Sequence, residues 1–192
     1  MTWRPSNQAL WVGYEAWQQR RYVDAHAFFQ CALAADVRNA EAWQGLGSVE
    51  WSLQRFDAAF HAFQNAVGCA SWQAVHWANL GLALRELRHL ASAINVFVVA
   101  TQLDPHYAPA YNEWANVLFD LGRYADALVL YEHSLMLDSS RAVVHHNQGV
   151  CHRFRGDTVL ARHSFANALA LDPNYAYTLQ EMHLLDSLDL ES

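Results

Sequence analysis

An all-α solenoid of stacked helical hairpins is the fold class that this chain of 192 residues predicts, and three observations carry the prediction. The first is a period of 34 residues: Trp43, Gly47, Phe56, Ala59, Phe63 and Ala66 return as Trp77, Gly81, Leu90, Ala93, Phe97 and Ala100. A fixed period of this length marks an array of stacked units rather than a domain built around one centre. The second is the spacing inside a period. Trp77, Leu80 and Leu84, then Leu90, Ala93, Ile94 and Phe97, recur at helical intervals in two separate blocks. The third is punctuation: Gly122 and Gly156 fall between blocks, and Asp104-Pro105 and Asp172-Pro173 close periods, because proline disfavours the helical conformation in the residue before it.

Composition agrees with a folded array. Hydrophobic residues make up 53% of the chain, with eight Trp, nine Phe and eight Tyr, which is enough apolar surface to exclude wholesale disorder. All twelve basic residues are Arg, they are scattered along the sequence, and the net charge is -7, which argues against a nucleic-acid surface. Cys31, Cys69 and Cys151 are odd in number and form no CxxC pair, so neither a disulfide framework nor a zinc knuckle is expected. There is no basic-then-apolar leader at the start and no apolar run long enough to span a bilayer, so a cytoplasmic location is expected.

In chain order, residues 1–5 are a lead-in whose Trp3 could fold back or meet a partner. Five units follow, at 6–39, 40–73, 74–107, 108–141 and 142–175. The first is atypical at its start, with Ala9 where the others carry Trp43, Trp77, Tyr111 and His145. Small residues at the eighth position (Gly13, Gly47, Gly81, Ala115, Gly149) and the twentieth (Ala25, Ala59, Ala93, Ala127, Ala161) let the two helices of a hairpin approach closely. Large aromatics at the twenty-fourth position (Phe29, Phe63, Phe97, Tyr131, Phe165) fill the space between hairpins. Residues 176–192 place Leu179, Met182, Leu185 and Leu188 along one face, bracketed by Glu181, Asp186 and Asp189. They are expected to form a helix capping the last unit.

The pattern W-x2-L-G early in a unit, A-x3-F in its middle and Pro near its end resembles the tetratricopeptide repeat (TPR). Trp43, Leu46, Gly47, Ala59, Phe63 and Ala66 match it in the second unit, and Trp77, Leu80, Gly81, Ala93, Phe97, Ala100 and Pro105 in the third. The resemblance implies a right-handed α-solenoid of TPR hairpins whose first helices line a concave groove. It implies that the second, fifth, sixth, ninth, twelfth and thirteenth positions of those helices face the groove. From the first unit these include Asn7, Leu10, Trp11, Tyr14 and Trp17, and from the second Glu41, Gln44, Ser48 and Trp51. The third adds Asn79, Leu82, Arg85 and Glu86; the fourth Asn112, Glu113, Asn116, Phe119 and Asp120; the fifth His146, Asn147, Val150, Arg153 and Phe154.

Aromatic side chains supply contact area and amides pair with a ligand backbone whatever its sequence, so the expected partner is another protein, held through an extended and partly apolar segment. Family members that grip the acidic tail of heat-shock chaperones use a clamp of Lys, Arg and Asn. Leu10 and Tyr14 stand at such positions here and Lys is absent, so no clamp is expected. The stretch 28–47 and the units after it are also similar to class II chaperones of type III secretion, which shelter hydrophobic translocator proteins. A scaffold that self-associates is a further alternative. Catalysis, cofactors and metals are not expected. There is no phosphate loop, nucleophile elbow or carboxylate cluster, and His145 and His152, seven residues apart on one helix, are separated by roughly 10 Å along its axis.

Overall fold

The computed structural model describes the backbone of residues 5–190 and the side chains of residues 8–187. Trp3 and the side chains of Asn7, Leu188 and Asp189 lie outside that range. Among the described residues every regular element is an α-helix: α1 (Pro5–Gln18), α2 (Tyr22–Ala35), α3 (Ala40–Ser52), α4 (Phe56–Cys69), α5 (Ala74–Glu86), α6 (Leu90–Leu103), α7 (Ala108–Asp120), α8 (Tyr124–Leu137), α9 (Ala142–Phe154), α10 (Thr158–Leu171) and α11 (Ala176–Leu190). None of them is long and apolar enough to cross a membrane. Two compact units divide between Asp104 and Pro105.

The first unit holds the hairpins α1/α2, α3/α4 and α5/α6, with α2 against α3 and α4 against α5. Its first helices also touch in series, α1 to α3 and α3 to α5, which gives the unit a layer made only of first helices. In the second unit α7/α8 and α9/α10 repeat this arrangement, and α11 packs on both α9 and α10.

Each hairpin is closed by one residue in the left-handed conformation, at the fifteenth position of every repeat: Arg20 (φ 59°), Gln54 (59°), Arg88 (61°), Gly122 (73°) and Gly156 (82°). The residue after it donates back to the helix just ended, as in Arg21 N–H to Ala16 O (2.9 Å) and Arg123 N–H to Leu118 O (2.9 Å), which satisfies a carbonyl the helix end leaves open. The sequence marks this turn by glycine in only two of the five repeats. Loops between hairpins are fastened by the fourth-position side chain, which reaches a carbonyl six residues upstream: Trp43 to Val37 (2.8 Å), Trp77 to Ser71 (2.8 Å), Tyr111 to Pro105 (3.3 Å) and His145 to Ser139 (3.3 Å).

The cores consist of small residues against single large rings. Phe29 is fully buried among Ala16, Ala25, Ala32, Ala42 and Val49. A Cβ on Gly13 would lie 2.9 Å from its ring, and one on Gly45, in the next hairpin, would collide with the same ring. The eighth-position glycine therefore makes room for the aromatic ring of its own hairpin, and the ring then reaches the following hairpin. This refines the expected pairing of the eighth and twentieth positions. Burying such a ring contributes about 1.5–3 kcal/mol relative to leaving it in water.

Candidate functional site

The groove-facing positions fall into three physically distinct sets. On α1, Leu10 is core, Trp11 is 74% exposed, and Tyr14 and Trp17 are committed to the neighbouring helix. The Tyr14 hydroxyl donates to the Glu41 carbonyl (3.0 Å) while its ring meets Phe29 edge-on at 5.0 Å. Burial, reinforced by the Glu41 charge, pushes the pKa of this hydroxyl up to about 12. The Trp17 indole donates to Ser52 Oγ (3.0 Å), whose hydroxyl donates to the Ser48 carbonyl (2.8 Å), and Ser48 Oγ donates to the Gln44 carbonyl (3.0 Å). Ser52, at a thirteenth position that the family pattern turns toward the groove, thus anchors α1 to α3 instead.

The second set lies on α3 and α5. Gln44, Trp51, Asn79 and Leu82 are half-buried. The Trp51 ring sits edge-on to Phe56 at 5.2 Å. Among the described residues the side chains of Gln44 and Asn79 and the Trp51 N–H have no hydrogen-bond partner, and none of them is sealed from solvent. Arg85 stands in the last turn of α5, half-buried, beyond Leu82. Glu41 and Glu86 flank this face in exposed positions.

In the third set, on α7 and α9, the expected amides are bonded to one another or covered. Asn112 is 2% exposed and donates to Glu113 Oε1 (2.8 Å), and Asn116 donates to Glu113 Oε2 (3.0 Å). The Asn116 carbonyl accepts from Tyr131 (2.6 Å) and Asn147 (3.1 Å). Phe119 packs with Tyr124 (5.2 Å) and Phe154 (5.3 Å), and Asp120 is half-buried beside it. The remaining three residues meet α11. His146 Nδ1 lies 2.9 Å from Thr178 Oγ1, Val150 packs with Phe165 and Leu185, and Arg153 pairs with Glu181 at 2.7 Å. Expected as ligand contacts, His146, Val150 and Arg153 are instead occupied by the chain's own last helix, because the open face of the final hairpin is apolar and needs a cover.

Cys151 and His152, outside this face, have structural partners as well. Cys151 is buried, its thiol donates to the Tyr124 carbonyl (3.2 Å), and burial pushes its pKa up to about 11. His152 stands 3.9 Å from Asp157. Among the described residues no group of three His, Cys, Asp or Glu side chains is placed to hold a metal ion.

The sequence model described as tetratricopeptide repeat matches residues 13–72 and 78–139, more than half of the chain. The chain belongs to the tetratricopeptide repeat family. Proteins of this family generally mediate protein–protein interactions. The mouse (Mus musculus) DnaJ homolog subfamily C member 7 is 36% identical over 89 residues, which is 46% of this TPR chain and 18% of that protein; the chain spans less than a fifth of that relative's length. Among solved structures, TTC0263 of Thermus thermophilus, a thermophilic TPR protein, shares the fold with a TM-score of 0.80 at 19% identity, covering 94% of this chain and 98% of that one. YrrB, described as a TPR protein with an unusual peptide-binding site, does so with a TM-score of 0.68 at 20% identity over 91% and 90% of the two chains.

Proposed function

We propose that this TPR protein is a non-catalytic scaffold that binds an extended, partly apolar segment of another protein on the face formed by α3 and α5. One observation carries the reading. Gln44, Asn79 and the Trp51 N–H are hydrogen-bonding groups unpaired among the described residues, on half-buried side chains of the two helices that also carry Leu82, whereas on α7 and α9 Asn112 is buried and donates to Glu113, and Asn147 donates to Asn116. Half-buried polar groups without partners are matched by a peptide backbone, which offers alternating donors and acceptors, and the adjacent indole and leucine supply contact area for its side chains.

A random peptide library selected on the purified chain tests this. Peptides enriched on the wild type are expected to lose about tenfold or more in affinity on Trp51→Ala, in the range of an aromatic anchor at an interface, and less on Asn79→Ala. Equal binding of the same peptides by both variants, with circular dichroism and thermal midpoint unchanged, would remove the α3–α5 face from the function.

A further inference from the structure

A second surface lies on the hairpin-turn edge of the first unit, and none of its lining residues is among those assigned to the groove. Two adjoining hollows, about 290 and 230 Å³, share Tyr22, Val23 and Leu53 as their apolar lining. Arg20, Arg21 and Asp24 rim one, and His26 and Arg55 rim the other. Val23 is 83% exposed, an aliphatic side chain held open to solvent between arginines.

The chain balances most, but not all, of the charge here. Arg21 is paired with Asp24 at 3.0 Å. Glu50, with a side chain only 8% exposed, lies beneath the rim with its oxygens directed to His26 (3.1 Å) and Arg55 (3.6 Å). Among the described residues Arg20 has no acidic partner. Both nearby carboxylates are thus committed, which leaves Arg20 as the cation without an acidic partner among the described residues, on a chain whose net charge is -7.

The backbone at this edge gives the test a handle. Arg20 occupies the left-handed turn position with φ 59°, where two later hairpins carry Gly122 and Gly156. A side chain there costs roughly 1 kcal/mol that glycine avoids. Gln54 (φ 59°) and Arg88 (φ 61°) carry the same cost at their turns, and among the described residues the Arg20 side chain has no hydrogen bond or ion pair.

We infer that this edge binds an acidic segment of a partner protein in which one aliphatic or aromatic residue, flanked by carboxylates, enters the hollow over Tyr22, Val23 and Leu53. The anchor buries the exposed Val23 surface and a carboxylate meets Arg20, beside Arg21 and Arg55, which keep their own partners Asp24 and Glu50. The site is separate from the α3–α5 face and stands or falls without it.

The test uses the full chain and a fluorescein-labelled peptide with one leucine flanked on each side by two glutamates, followed by anisotropy. The wild type is expected to bind this peptide in a salt-sensitive manner and to ignore the version with glutamine for glutamate. Arg20→Gly is expected to raise the thermal midpoint by about 2–4 °C through relief of the turn, while weakening the peptide about threefold to fivefold, the size of one exposed ion pair. Val23→Asp is expected to abolish binding, and Trp51→Ala to leave it unchanged. Unaltered affinity in Arg20→Gly, equal binding of the glutamine peptide, or a loss in Trp51→Ala matching that in Arg20→Gly would each overturn the site. So would binding of phosphatidylserine vesicles without the peptide, or a dimer in sedimentation that Arg20→Gly dissociates, since the edge would then serve a membrane or a second copy.

Discussion

At the scale of single residues, two glycines of neighbouring helices predict opposite signs for the same substitution. In α3, a Cβ on Gly47 would lie 2.5 Å from the Phe63 ring, and that ring is 3% exposed and enclosed on all sides. Gly47→Ala gains about 1 kcal/mol of helix propensity but forces a buried ring to move, at about 1–3 kcal/mol; a net loss of stability is expected. In α4, Gly68 is exposed and a Cβ there meets nothing within 4 Å, so Gly68→Ala keeps the propensity gain of up to about 1 kcal/mol. Urea denaturation of both variants decides between this account and one in which the glycines are interchangeable. The glycines at eighth positions were legible from the sequence because they recur with the period. The left-handed turns at Arg20, Gln54 and Arg88 were not, because long polar side chains there hide a backbone requirement that glycine would have announced.

At the scale of the element, α11 shows how a correct pattern can still be rotated. The sequence suggests a stripe through Leu179, Met182 and Leu185, but in the structure Leu179 is 40% exposed and Thr178 is fully buried beside Met182 and Leu185. Residues 178, 182 and 185 follow i, i+4, i+7 and so share one face, while residue 179 lies about 100° round the helix from its neighbour. Thr178 could not have been chosen from the sequence because its place depends on His146 beneath it, which it meets at 2.9 Å. Leu185→Ala is expected to cost about 2–4 kcal/mol, as for a buried leucine whose site does not collapse. Leu179→Ala is expected to fall within about 0.5 kcal/mol of wild type. Comparable losses from the two variants in thermal or urea unfolding would return Leu179 to the buried face.

At the scale of the whole molecule, the fold was legible because it is periodic: five copies of one pattern report the same hairpin, and the noise in any one copy cancels. The candidate site is not periodic. Whether an amide is open, as at Gln44 and Asn79, or spent, as at Asn116, depends on Tyr131 and Asn147, which come from other helices. The same reasoning applies to His76 on α5, unremarkable in the sequence yet fully buried with neither ring nitrogen hydrogen-bonded. Burial lowers its pKa below the ordinary 6.5. His146 is lowered by burial against the opposing Glu181 charge, and His152 by burial and Arg155 against Asp157. A histidine depressed in the folded state binds its proton more readily when unfolded, so its stability contribution is present above about pH 6.5 and is lost as pH falls below that value toward the folded pKa. Both compact units contain such a group, so the chain is expected to be less stable at pH 5.5 than at 7.5 in urea unfolding. His76→Leu removes a buried polar group without partners, which predicts a gain of about 1 kcal/mol or more at pH 5.5 and a shallower pH dependence. A variant with an unchanged slope between those pH values would show that His76 carries no part of the acid sensitivity.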